Sequence, residues 1–119
     1  YRFHEDWHGE IIAESRAGHV EESWLDLHYP AGDIPAPARA LFLRHWLRLI
    51  VDVQAPPSPV EPAVSPATGA PLDLGDAVLR AVSPVHTEYL TNMGVRASMS
   101  VSLVRDGALW GLVSCHHYA

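Results

Sequence analysis

The sequence predicts a mixed α and β domain, and three observations predict it. Residues 36–50 and 83–93 carry apolar side chains at spacings of three and four, the period of a helix with one face on a core. Residues 95–104 and 109–118 change to a period of two on either side of Asp106-Gly107, the pattern of a β-hairpin. Between the helical stretches, residues 54–71 hold six of the ten prolines and follow neither period. The 119 residues amount to one domain's worth of chain.

The chain opens with a hairpin. Residues 1–3 read as a short strand, 4–9 as a polar turn and 10–15 as a second strand. His4 and His8 stand at i, i+4, but the segment between them has little helical character, so they read as solvated loop histidines rather than metal ligands. In residues 18–27, Trp24, Leu25 and Leu27 fit a short helix pinned to the core. Residues 28–35 form a loop with two prolines. Asp33 is placed to cap the helix that follows, and Pro35 and Pro37 are tolerated at its start. That helix is expected over 36–50. Ala40, Leu43, Leu47 and Ile50 form its core stripe, Trp46 widens it, and Arg44 and Arg48 share the opposite side.

The tract 54–71 is long for a loop inside a compact domain. It reads as a functional loop rather than a boundary, since neither half alone could bury a proper core. A short helix over 74–81 ends near Arg80. Ser83 and Pro84 then give a helix start signal, with Ser83 able to cap and Pro84 suited to the first helical position. His86, Tyr89, Leu90 and Met93 share one stripe. Gly94 stops the helix because it takes a left-handed backbone cheaply.

In the C-terminal hairpin the register decides which side chains share a face. A two-residue Asp106-Gly107 turn puts His116 with Met99. A three-residue turn that includes Ala108 puts Ser98, Ser100, Ser114 and His116 on one face. Only the second sorts polar with polar, so it is the expected register.

Composition excludes several functions. The chain has eight Arg and no Lys and a net charge of −6, against a nucleic-acid surface. No apolar run spans a bilayer, and no signal peptide is visible. The single Cys115 forms no internal disulfide. His116-His117 resembles a metal pair, but adjacent strand residues point to opposite faces. The same argument removes His116 as a base for Cys115. No phosphate loop, dinucleotide fingerprint or paired-carboxylate motif is present. Residues and spacing thus reach a sensor-like domain with a polar-lined pocket. The strand-like ends, YRF and CHHYA, suggest a domain cut from a longer protein at both ends.

Three strings go further: LHYPAGDIPAPARALFLRHWLRLI, AVLRAVSPVHTEYLTNMGVRASMSVSLV and LWGLVSCHHY. Together they closely resemble the bilin-binding GAF domain of phytochromes, particularly bacteriophytochromes, over nearly all of the chain. The resemblance implies an α+β GAF fold over 1–119, a central antiparallel sheet with helices on one face and the ligand pocket on the other. It implies a cytoplasmic red/far-red photoreceptor domain that holds biliverdin, a linear tetrapyrrole. By the same resemblance the domain itself is not an enzyme, and its parent is expected to end in a histidine kinase or another signalling output. PAS and PHY-type domains are the implied neighbours in the same chain, and the full-length protein is an implied homodimer.

The resemblance also implies roles. Asp33, with Ile34 and Pro35, matches the D-I-P motif beside the pyrrole nitrogens. His86 matches the histidine next to the central pyrroles. Arg48 and Arg80 match arginines that pair with a propionate. Ser98 and Ser100 match hydroxyls near the other propionate. His116 matches the histidine on the terminal D-ring carbonyl, and Tyr1, Tyr29 and Tyr89 match the aromatic cage around that ring. Two departures stand out. Val85 occupies the position where plant-type phytochromes carry the pigment-linking cysteine, so attachment is expected at a cysteine upstream. Phe42 stands where the family usually has a tyrosine whose hydroxyl helps hold a propionate. The rival readings are a GAF-type sensor of another ligand, a cyclic nucleotide or haem, and an enzyme using Cys115.

Overall fold

The computed structural model describes residues 1–78 and 80–118. Its elements are β1 (Arg2–Phe3), β2 (Gly9–Glu10), β3 (His28–Tyr29), α1 (Ala36–Arg44), β4 (Leu47–Ile50), α2 (Pro84–Asn92), β5 (Ala97–Arg105) and β6 (Ala108–His117). The strands form one six-stranded sheet in the order β3-β2-β1-β6-β5-β4. The pairings of β1 with β2 and β6, and of β2 with β3, are antiparallel. Two compact units divide the chain: Tyr1–Arg48 with Ser100–Ser114, and Leu49–Met99 with the residues from Cys115 on. Each has its own core. In the first, Phe3, Phe42, Leu109 and Leu112 are buried together, with Tyr1 and Ile34 packed on them. In the second, Ile50, Leu90 and Val95 are buried, with Val53, Val82 and Met93 around them.

The opening hairpin forms as expected, with Arg2 opposite Glu10 and Phe3 opposite Gly9, though β2 ends at Glu10. Residues 18–27 hold no helix. There the Glu14 carboxylate accepts hydrogen bonds from the backbone N–H groups of Trp24 (2.6 Å) and Leu25 (3.1 Å). The acceptor fixes a turn where a helix would have satisfied those donors internally. The segment expected to be loop from residue 28 instead begins with β3, paired to β2.

Helix α1 differs from the expectation at both ends. Its N-cap is Pro35, and no side chain caps it. Asp33 lies two residues too early to cap; it is exposed, and its N–H donates to the Pro30 carbonyl at 3.0 Å. The helix stops at Arg44, six residues short of Ile50. Helix termini leave carbonyls without partners, and here they find them elsewhere. The Ser102 hydroxyl donates to the Phe42 carbonyl (2.7 Å), and the Trp46 indole donates to the Leu43 carbonyl (3.0 Å). The Ser102 N–H then bonds the Trp46 carbonyl at 2.7 Å, where the chain turns from helix to strand. Residues 47–50 thus become strand β4. The stripe of Ala40, Leu43, Leu47 and Ile50 does not form one core face: Ile50 is buried in the second core, but Leu47 is 44% and Trp46 62% exposed, while Phe42 carries the burial of α1. Arg44 and Arg48 no longer share a helix.

Residues 54–71 contain no helix or strand and lie wholly within the second unit, so no boundary between the units falls there. The helix expected over 74–81 is absent among the described residues, where Gly75 and Asp76 form a turn; Leu79 lies outside them. Helix α2 follows its sequence signals. Ser83 is the N-cap residue, although its side chain makes no capping bond, and proline occupies the first turn. Gly94 has a φ of 72°, its N–H bonds the Thr91 carbonyl, and the Val95 N–H bonds the Leu90 carbonyl (both 2.9 Å). This is a Schellman motif, completed by the packing of Val95 with Leu90 in the second core.

The C-terminal hairpin overturns the expected register. Strand β5 ends at Arg105 and β6 begins at Ala108. Only Asp106 (φ 51°) and Gly107 (φ 75°) turn the chain. Two successive left-handed residues make a type I′ turn, whose twist matches that of the strands it joins. Within the second unit, the Arg96 N–H donates to the His117 carbonyl at 2.7 Å, the pairing this short turn requires. Turn chemistry prevailed over the sorting of polar side chains. The grouping of Ser98, Ser100, Ser114 and His116 on one face rested on the longer turn and loses its basis.

Candidate functional site

In the first unit the sheet builds an aromatic surface. Phe3, Gly9 and Tyr29 pair across β1, β2 and β3. The Leu112 N–H holds the Tyr1 carbonyl at 2.8 Å. The Tyr1 ring lies directly over Gly9; a Cβ there would stand 1.7 Å from Tyr1 Cζ, so only glycine admits the ring. Tyr1 meets Phe3 edge-on at 5.1 Å and Tyr29 at 6.1 Å between ring centres. The structure thus brings together two of the three tyrosines singled out from the sequence.

The D-I-P segment precedes α1 in the same unit. Ile34 packs on the core, while Asp33 and Pro35 are exposed. The segment is held by Arg39, which sequence reasoning missed. Its Nη1 donates to the Ile34 carbonyl (2.6 Å) and the Ala31 carbonyl (3.3 Å), and its guanidinium lies 4.6 Å from the centre of the Trp7 ring. No local pattern marks Arg39, because both its partners come from the folded loop and hairpin. Arg48 places its guanidinium 5.5 Å from the centre of the Phe42 ring, a cation–π arrangement. Phenylalanine at 42 therefore offers Arg48 a ring face, where the related tyrosine would also bring a hydroxyl. Ser100 is half-buried in this unit.

The second unit holds Arg80, His86, Tyr89, Ser98 and His116. Arg80 Nη1 donates to the carbonyls of Gly75 (3.0 Å) and Ala77 (2.7 Å), which fixes the guanidinium and the turn beneath it. Its Nη2 is buried and has no hydrogen-bond partner among the described residues. A buried guanidinium nitrogen without an acceptor is costly, and a carboxylate oxygen is its natural complement. That orphaned donor suits a ligand with acidic arms. His86 is half-buried in the first turn of α2; Tyr89, three residues on, is 43% exposed. Ser98 and His116 are both half-buried. Burial pushes the His116 imidazole below its usual value, which favours the neutral ring. A neutral imidazole keeps one N–H donor for a carbonyl.

The remaining features separate from these residues. Ser102, third in the serine row, is spent on the Phe42 carbonyl. Cys115 is exposed. A cavity of about 180 Å³ in the second unit is bounded by Val53, Gln54, Thr91, Arg96 and Tyr118, and by none of the residues above. Beside it, Arg96 makes a two-pronged ion pair with Asp52 (2.9 and 3.3 Å) that holds the Asp52 carboxyl below its usual range.

Comparison with known proteins gives a consistent answer. The GAF domain profile matches residues 6–119. A bacteriophytochrome of Xanthomonas campestris pv. campestris is 59% identical over all of the chain, which covers 19% of that protein. A bacteriophytochrome of Pseudomonas aeruginosa is 57% identical over 98% of the chain and 16% of its own length. The chain therefore spans less than a fifth of these curated relatives. Among solved structures, the chromophore-binding domain of a bacteriophytochrome from R. palustris superposes with a TM-score of 0.92 at 49% identity, over 99% of this chain and 39% of that one.

Proposed function

This chain belongs to the GAF domain family, and on that footing we propose that it is the pigment-binding part of a red/far-red photoreceptor, holding a linear tetrapyrrole of the biliverdin type. The observation that carries the reading is the match of the whole of this chain to one part of a bacteriophytochrome, at 59% identity. The donor chemistry supports it: Arg80 keeps a buried nitrogen for an acid group, and burial lowers the His116 imidazole below its usual value.

When bound, the tetrapyrrole supplies light absorption and isomerisation about a methine double bond. The chain's own residues bind and orient it. In the second unit, Arg80 Nη2 takes a propionate oxygen, Ser98 supports a propionate, and His86 holds a proton or a water beside the central pyrrole nitrogens. His116 donates to the terminal-ring carbonyl, and Tyr89 bounds that ring. In the first unit, Arg48 receives a propionate while leaning on Phe42, and Ser100 adds a hydroxyl. Tyr1 and Tyr29 supply aromatic faces, and Asp33, Ile34 and Pro35 present the D-I-P backbone. A change in these contacts biases two conformational states of a larger receptor.

This GAF portion of a longer chain does no catalysis itself; the receptor's output is a histidine kinase or a related module. Flanking PAS and PHY-type domains, a cytoplasmic setting and a homodimeric receptor complete the reading, with the pigment attached to a cysteine upstream. No helix among the described residues is long and apolar enough to cross a membrane. Mixing the protein with biliverdin tests the proposal. A sharp red-shifted absorption band that converts under red light is expected. No band, even with the upstream domain restored, would favour a GAF sensor of another ligand.

A further inference from the structure

The histidines of the opening hairpin, taken from the sequence as solvated loop residues, do not behave as such in the fold. Strand β1 pairs Arg2 with Glu10 and Phe3 with Gly9. The same register continues one step into the turn, where the His4 N–H bonds the His8 carbonyl at 3.0 Å. Strand β3 adds His28 opposite Glu10. Because side chains alternate along a strand, His4, His8, Glu10 and His28 fall on one face, and Phe3, Gly9 and Tyr29 on the other. The histidine face is therefore the reverse of the aromatic surface.

One ring nitrogen from each of His4, His8 and His28 lies within 4.8 Å of the other two. The His4 and His8 rings stack at 4.1 Å, and His28 stands 5.4 Å from His8. Two of the rings are oriented from behind by carboxylates. Glu10 Oε2 meets His4 Nε2 at 2.7 Å, and Asp6 Oδ1 meets His8 Nδ1 at 2.5 Å. Each of these rings keeps a second nitrogen that is not engaged by its carboxylate. A carboxylate behind a ligating imidazole fixes its tautomer and raises its basicity, the arrangement common around bound transition metals. Nothing in core packing calls for it, since His28 is exposed and His4 and His8 are half-buried. Arg2 lies on the same face, opposite Glu10.

We propose that His4, His8 and His28 form a binding site for a divalent transition-metal ion such as zinc, with Glu10 and Asp6 as positioning residues and water in the fourth position. Zinc–nitrogen bonds of about 2.0–2.1 Å require tetrahedral donors about 3.3 Å apart, so binding requires the stacked His4 and His8 rings to tilt out of parallel and the exposed His28 ring to rotate toward them. Imidazole donors with open access suit zinc, copper or nickel better than calcium or magnesium.

Calorimetric titration of the chelator-treated chain with Zn²⁺ tests this. One equivalent of zinc is expected to bind. His28→Ala should weaken it by at least about tenfold, and Glu10→Gln and Asp6→Asn by about 10- to 100-fold. The double variant Cys115→Ser/His117→Ala should bind as the parent does. Because His28 is exposed, its removal leaves the fold intact, which circular dichroism checks. X-ray absorption of the zinc-loaded parent should count three imidazole ligands. Unchanged affinity in His28→Ala, loss of binding in the Cys115/His117 variant, or fewer than three imidazoles around the metal overturns the proposal. None of these readouts depends on pigment.

Discussion

Arg80→Gln is the most direct probe of the acid-arm contact. Arg80 is clamped by two carbonyls through Nη1, while Nη2 is buried without an acceptor among the described residues. A hydrogen bond between charged groups contributes about 1.5–3 kcal/mol. Truncation to a neutral amide should therefore weaken pigment binding about 10- to 150-fold, taking 1.4 kcal/mol per factor of ten. The assay is an absorbance titration of parent and variant with biliverdin and, in parallel, with its dimethyl ester, whose acid arms carry no charge. The parent should prefer the free acid, and the variant should lose most of that preference. Thermal unfolding of both proteins separates this from damage to the Gly75–Ala77 turn. Equal losses for acid and ester would mean that Arg80 acts through the fold, and parent-like affinity for the acid would refute the contact outright.

Two further outcomes follow from the second core and from His116. Leu90, 2% exposed between Ile50 and Val95, should cost about 2–5 kcal/mol on replacement by alanine, read as a lowered midpoint in urea unfolding. The His116 imidazole is pushed down by burial, so the unfolded chain takes up a proton at higher pH than the folded one. Stability should then be full above the unfolded value of about 6.5 and fall as pH drops through it toward the folded value. His116→Gln should flatten that part of the midpoint-against-pH curve, and an unchanged slope would exclude His116 as its source.

Features encoded within a few residues were legible in the sequence. The start of α2 at Ser83-Pro84 and its stop at Gly94 depend on backbone preferences that neighbours hardly alter, and both form. The two strands around Asp106-Gly107 also form. Their register differs from the expectation because the left-handed preference of Asp106-Gly107 outweighs the matching of serines with His116. Of the candidate site, the family resemblance singled out Tyr1, Tyr29, Arg48 and Arg80, but no local pattern marks what holds Tyr1 and Arg80 in place. The Tyr1 ring needs Gly9, and Arg80 needs two carbonyls of a turn that local pattern had read as a helix.

What the sequence determined by itself is where short-range physics has a single answer: left-handed glycines, a proline at a helix start, a two-period hairpin. What only the tertiary structure decided is where two answers are locally equal. Residues 45–50 satisfy a helical stripe as well as a strand. Residues 47–50 become β4 because Ser102, far along the chain, offers an N–H to Trp46 and a hydroxyl to Phe42. In the same way His28 joins His4 and His8 only through the pairing of β3 with β2. Hydrogen-bond partners distant in sequence carry no local signature, so pattern alone could not choose among them.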